Sequence, residues 1–266
     1  MEISGIIHAH SSYSYDGKLS LPELKELTVS RGLGFVCMTE HTDELTKERA
    51  SEFVKECETL SDSTFRFIPG FEVPFGRAHI LMVGMREFFG TYAESLNALR
   101  TWTQKAPFVI LAHPVRNKFI VDSDLLSEID ALEVWNQQYE GKQVPRSRSL
   151  ALFRELHKEK PTLVATGGVD LHRGEHMGTP EVTLNVTELT EAQILEKLAM
   201  GAFRIHSPYA SFFGVLPNPE ALEKKHWWRS LFSVIIIVTG KQVNKILAIF
   251  GLKFSSSLKQ KIRQRI

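Results

Sequence analysis

At 266 residues the chain is long enough to bury a sizeable core, in one large α/β domain or two small ones. With 43% hydrophobic and 24% charged residues, its composition excludes a disordered chain and a polytopic membrane protein. The net charge of +1 hides a division before Lys224: ten of the 32 basic residues, and no acid, lie from there to Ile266, leaving 22 bases against 31 acids upstream. An acidic body of this kind is a poor general binder of nucleic acid, so stable duplex binding is not expected, although a site filled with cations attracts phosphate locally.

Short β-rich runs alternate with amphipathic helical stretches up to about residue 210, a pattern that predicts a βα-repeated α/β barrel. The expected strands are Ile3–His8, Gly34–Thr39, Phe65–Phe71, His79–Gly84, Phe108–Ala112, Ala131–Trp135, Leu163–Gly167 and Phe203–His206. The first helix has a clear start in Ser20-Leu21-Pro22-Glu23, with an N-cap serine, an early proline and an acid at the third helical position. It stops at Gly32, and Leu24 and Leu27 face inward at helical spacing. Similar stops end helices at Pro161 and at Gly201. Cys37 and Cys57 show neither CxxC spacing nor a secretory context and read as reduced, buried thiols. No signal peptide is evident before His10, so a cytoplasmic body is expected.

The barrel is assigned to residues 1–215 and a basic, amphipathic extension to 216–266. In the extension Trp227-Trp228 leads into Leu231–Val238, and Val243, Ile246, Leu247 and Phe250 recur at helical spacing. Its apolar run falls short of the ~20 residues that a membrane-spanning helix needs. An interfacial helix at a membrane surface, or one docked on the barrel or a second subunit, are the two expectations.

Residues that carry chemistry gather at the predicted strand ends. His8-Ala9-His10 closes the first strand, and i, i+2 spacing puts both imidazoles on one side of an extended chain. Asp16-Gly17 follows in a polar turn, His41 ends the second strand segment, and Glu72 follows the third. His79 opens the next strand, His113 precedes Pro114, and Asp170-Leu171-His172 follows Leu163–Gly168. Strand ends that surround one pocket are where βα barrels collect functional groups. Six imidazoles and three carboxylates in one pocket are costly unless divalent ions pair them, and nitrogen with oxygen ligands suits Zn, Mn or Fe.

With these motifs in their order, the chain resembles the PHP (polymerase and histidinol phosphatase) superfamily of metal-dependent phosphoesterases over roughly residues 1–210. HAHSSYSYDG resembles the family's HxHTxxSDG opening, FVCMTEHTD its ALTDHD segment, PGFE its glutamate motif, LAHP its AHP motif and GGVDLH its GSDAH motif. The resemblance implies a distorted seven-stranded βα barrel and a site for two or three divalent ions. His8, His10, Glu72 and Asp170 would hold the first ion and its water; Glu72 would bridge to a second, completed by His79 and His113; Asp16, His41 and His172 would hold the third.

Tyr13 and Tyr15 in the opening loop, Glu40 in place of an aspartate and Leu171 in place of an alanine depart from the family pattern. The expected reaction is hydrolysis of a phosphomonoester or phosphodiester by metal-activated water, on a small phosphorylated substrate or short nucleotide. The alternatives are metal-dependent hydrolysis of an amide or ester, and a catalytically silent metal-binding module recruited by its tail. Arg116, Asn136 and Arg146 are candidate substrate contacts, because a guanidinium binds phosphate bidentately, and His206 is a fourth at the end of the last strand. His157, His176 and His226 read as ordinary structural histidines.

Overall fold

The computed structural model describes residues 1–216 together with Trp228, Leu231, Ile235, Thr239 and Gln242, which are helical. The rest of the C-terminal extension, His226 included, lies outside the described residues, so the expected second region is not tested. In chain order the elements are β1 (Glu2–Ala9), α1 (Leu21–Val29), β2 (Phe35–Met38), β3 (Glu40–His41), α2 (Lys47–Leu60), β4 (Arg66–Ile68), β5 (Gly70–Phe75) and β6 (Ala78–Val83). They continue with α3 (Leu96–Thr103), β7 (Phe108–Leu111), α4 (Ser123–Ser127), β8 (Ala131–Asn136), α5 (Gln137–Glu140) and α6 (Ser147–Glu159). Last come β9 (Val164–Gly168), β10 (Glu181–Asn185), α7 (Glu191–Ala199), β11 (Phe203–His206) and β12 (Ser211–Phe213).

The fold is mixed α/β, with two six-stranded sheets ordered β12-β11-β10-β1-β2-β4 and β3-β5-β6-β7-β8-β9. Strict βα repetition, the sequence expectation, breaks at two places. β6 runs antiparallel to both β5 and β7, because only Gly76 and Arg77 separate β5 from β6 and so short a link can only turn the chain back. β10 pairs antiparallel with β1, and β11 and β12 continue the first sheet, each antiparallel to the strand before it. β2 and β7 are apolar throughout and buried at every position, as strands covered on both faces must be. Trp135, Phe35, Phe53, Phe65, Phe71, Phe108, Phe153 and Phe203 are the largest fully buried side chains.

Five of the described helices, α1, α2, α3, α5 and α7, begin where a side chain accepts from a free backbone amide. At α1 the full capping box forms: Ser20 accepts from the Glu23 amide, and the Glu23 carboxylate accepts from the Ser20 amide at 2.8 Å. Thr46, Ser95 and Thr190 cap α2, α3 and α7 without the reciprocal bond, each side chain accepting from the amide three residues on. Gly32 and Gly201, the two glycines among the three expected stops, both have positive φ (73° and 64°). Cys37 and Cys57 are buried and unpaired, and burial pushes both thiols up. No helix among the described residues is long and apolar enough to cross a membrane.

Glu140, at the end of α5, is buried and accepts from the Ser149 hydroxyl and, at 3.3 Å, from the Arg146 amide. Burial raises its carboxyl from 4.5 to about 8, against the opposing hydrogen bond from Ser149. The folded state therefore holds a proton that the unfolded chain releases above 4.5, and stability drains away as pH rises from there to about 8. Glu140→Gln should flatten that part of the profile: melting temperatures of variant and wild type diverge upward from pH 5 to pH 8, with the variant the more stable at the alkaline end.

Candidate metal centre

The ends of β1, β3, β7 and β9 and the start of the antiparallel β6 place the predicted residues around one carboxylate. Glu72 is buried in β5, and His41 in β3 lies directly opposite it in a parallel register. Glu72 Oε2 lies 3.1 Å from His8 Nε2, 3.2 Å from His10 Nε2 and 3.4 Å from His41 Nδ1. Glu72 Oε1 lies 3.0 Å from His113 Nε2 and in still closer contact with His79 Nδ1. Asp170 Oδ1 approaches His8 Nε2 at 3.5 Å, His10 Nε2 at 3.6 Å and His172 Nδ1 at 3.4 Å. Asp16 completes the cluster, with Oδ2 at 3.1 Å from His172 Nε2 and Oδ1 at 3.7 Å from His41 Nε2. The His10 ring stacks against the rings of both His41 and His172, at 4.3 Å each. All nine residues are thus brought together, His79 among them.

Local backbone makes this convergence work. His8, His113 and Asp170 all have positive φ (67°, 25° and 54°), a conformation costing an L-residue roughly 1–2 kcal/mol. It turns each side chain out of the strand pleat and over the sheet ends. The loop carrying Asp16 is tied down by buried Glu40, whose carboxylate accepts from the Ser11 amide at 2.9 Å, the Ser11 hydroxyl at 2.6 Å and the Ser14 hydroxyl. Ser14 Oγ in turn accepts from the His41 amide at 2.9 Å and lies 3.4 Å from His10 Nδ1.

The charges are strongly coupled. Burial works against Glu72 ionising, yet His8 and the other imidazoles hold its carboxyl well below the usual range. Burial likewise opposes the imidazolium of His10, but Asp170 and Glu72 outweigh it and raise His10 to about 9. His41 goes the other way, lowered to about 3 by burial and by neighbouring His10. His10 Nε2, His41 Nδ1 and Asp16 Oδ1 are buried without a hydrogen-bond partner. Buried polar atoms are rarely left so, and lone pairs facing one another across 3–4 Å are what a cation would pair. Among the described residues four groups offer three donors converging within 4.8 Å: His10, His41 and His172; His8, His10 and Glu72; His8, His113 and Asp170; His41, Glu72 and His79. These nitrogen and oxygen donors, none of them sulfur, fit divalent ions.

The other candidates separate by position. Exposed Arg116 stands at the rim, with Nη1 3.5 Å from His79 Nδ1. Asn136 is fully buried, and its Nδ2 reaches Glu133 Oε2 at 2.9 Å and Asp170 Oδ2 at 3.4 Å, so it supports a site residue from behind. Arg146 donates to the Tyr139 carbonyl at 2.8 Å. His206 bonds to Thr183 at 2.7 Å on the antiparallel extension of the first sheet. His157 stacks on Phe153, and His176 Nδ1 accepts from the His172 amide at 3.3 Å. Sequence reasoning overlooked Glu133 and the anchoring role of Glu40. The available signal was a carboxylate inside an otherwise apolar, fully buried strand, which demands partners.

The family model described as PHP domain matches residues 7–159, more than half of the chain, and the chain belongs to that family. Asp170 and His172 lie beyond the matched span. No curated protein matches. Among solved structures the fold is similar to a two-domain protein containing a predicted PHP-like metal-dependent phosphoesterase from Bacteroides vulgatus, at TM-score 0.53 and 14% identity over 77% of this chain and 65% of that one. It is similar to PsfC from Pseudomonas syringae, at TM-score 0.51 and 14% identity over 83% and 95%. It is also similar to a lesion-specific endonuclease from Pyrococcus furiosus, at TM-score 0.52 and 16% identity over 77% and 58%. The chain thus spans about two thirds or less of the Bacteroides and Pyrococcus proteins.

Gly17 shows how tightly the opening loop is packed: a methyl there would sit 1.8 Å from the Ser11 carbonyl oxygen. Gly17→Ala should cost about 1–3 kcal/mol, as overpacking does. A denaturant titration should show a lower midpoint with an unchanged slope.

Proposed function

We propose that the protein is a metal-dependent phosphoesterase that hydrolyses a phosphomonoester or phosphodiester of a small substrate or short nucleotide. The observation that carries this reading is the convergence of five imidazoles on the two oxygens of Glu72, with three buried donor atoms left unpaired. In this reading His8, His10, Glu72 and Asp170 hold one ion, Glu72 reaches a second beside His79 and His113, and Asp16, His41 and His172 hold a third. The donors suit Zn, Mn or Fe. When bound, such ions activate water near neutral pH and neutralise charge on the phosphoryl oxygens.

The chain's own side chains supply position and specificity. Glu72 offers one oxygen to each of two neighbouring groups of histidines, which sets their spacing. Asn136 holds Asp170 from behind. Arg116, exposed beside His79, is placed to receive a phosphoryl oxygen at the rim. Tyr15 stacks on His41 at 5.1 Å and Tyr139 lies 5.2 Å from His113, so aromatic rings flank the approach on two sides.

The scaffold of this reading is a distorted seven-strand ring. Its support is the set of bonds between the end of β1 and the segment after β9, the Val169 amide to Ile7 O at 2.9 Å, the Leu171 amide to His8 O at 3.1 Å and the His10 amide to Leu171 O at 2.8 Å, with the β1–β2 pairing carried on by the Thr39 amide to Ala9 O at 2.9 Å. Counting β2 with β3 and β4 with β5, these bonds run the strands from β1 through β9 and back.

The reading is tested by turnover of generic phosphomonoesters, phosphodiesters and carboxyl esters with added Mn or Zn and with a chelator. Phosphoester hydrolysis that the chelator abolishes is expected, and turnover of carboxyl esters alone would overturn it. Arg116→Ala should lower kcat/KM for the phosphoester by about 10- to 100-fold, the worth of a hydrogen bond to a charged group.

A further inference from the structure

Glu133 belongs to none of the ligand groups, yet it is a fully ionisable side chain buried to 1% exposure directly behind them. Its Oε1 lies 2.8 Å from His8 Nδ1. Its Oε2 accepts from the His113 amide at 2.7 Å and from Asn136 Nδ2 at 2.9 Å. Asn136 passes the connection on to Asp170 Oδ2 at 3.4 Å. One carboxylate therefore reaches all three site residues with left-handed backbone, His8 and His113 directly and Asp170 through one amide. The space it fills exists because residue 168 is glycine: a methyl there would sit 1.9 Å from Glu133 Oε1 and 2.8 Å from the His8 Cβ.

We propose that Glu133 is the positioning residue that presents His8 to the ion site, fixing the ring with its proton on Nδ1 and its Nε2 lone pair facing Glu72 and Asp170. The inference rests on the ion-site reading above. A carboxylate only accepts, so the nitrogen facing it carries the hydrogen, and the opposite nitrogen, 3.1 Å from Glu72 and 3.5 Å from Asp170, is the one left for coordination.

Glu133→Gln reverses this by hydrogen-bond logic alone. The glutamine oxygen must take the place of Oε2, because the His113 amide is a donor and Asn136 cannot flip: its Oδ1 already accepts from the Gln138 and Tyr139 amides at 3.0 and 3.3 Å. The glutamine NH2 group then faces His8 Nδ1, which must accept, so the ring proton moves to Nε2 and blocks coordination.

The experiment titrates Zn into the metal-free, folded full chain and its Glu133→Gln variant, and records nitrogen-15 NMR of the histidines in the Zn-loaded wild type. The wild type is expected to show His8 with a hydrogen-bonded proton on Nδ1 and Zn at Nε2. The variant is expected to bind Zn 10- to 100-fold more weakly, the usual loss for such a partner. A purely structural role would lower stability and leave affinity in the folded variant unchanged, which would overturn the proposal. So would a wild-type His8 protonated on Nε2, a result that holds even if the variant does not fold. Failure of the wild type to bind Zn, Mn or Fe at all would overturn the ion-site reading and this inference with it, whereas binding without the Glu133 effect would overturn only the inference.

Discussion

A buried carboxylate in contact with five imidazoles is the constraint on which the rest of the structure depends. Glu72 sits at 1% exposure in the middle of a strand, where an isolated charge would cost several kcal/mol. His8, His10, His41, His79 and His113 pay that cost, and they come from four places in the chain, with His8 and His10 sharing the end of β1. Bringing them together requires the ends of β1, β3, β5, β6 and β7 to meet over one small volume. The sheets' order, with β1 between β10 and β2 in the first and β3, β5, β6 and β7 consecutive in the second, meets that requirement.

The price of convergence is backbone strain and crowding, and both sit at the strand ends. Among the described residues, three of the five non-glycine positions with positive φ belong to the site. Behind them the chain has placed two buried glutamates with separate tasks. Glu40 holds the opening loop through Ser11 and Ser14, and Glu133 holds His8, His113 and Asn136. Glycines leave the room these carboxylates and loops occupy, Gly168 against Glu133 and Gly17 against Ser11. Rigidity of this kind matters for ion sites, since ligands must hold their distances before the ion arrives.

Much of this was legible in sequence, and the reasons are local. β11 falls on the expected residues and α1 carries the expected caps, because capping boxes and apolar runs are short-range signals. The convergence of the nine residues was legible because strand ends are marked by His and Asp where the apolar run stops. The antiparallel β6 was less visible, since a two-residue link through Gly76 is a weak signal beside the βα rhythm around it. β10 and β12 went unread, because each is stabilised by pairing with β1 and β11, which no local pattern encodes. Pro69 divides the single strand expected over Phe65–Phe71 into β4 and β5, which lie in different sheets. The partners of Glu133 were not legible for a related reason: they lie 125 and 20 positions away, at His8 and His113.

The most direct measurement is anomalous X-ray scattering from crystals soaked in Zn or Mn, with data collected at the metal's absorption edge. Two or three peaks clustered at Glu72, one within bonding distance of His8 Nε2 and another beside His113, are the predicted result. Peaks only at surface carboxylates, with the Glu72 cluster empty and its histidines in place, would contradict the account.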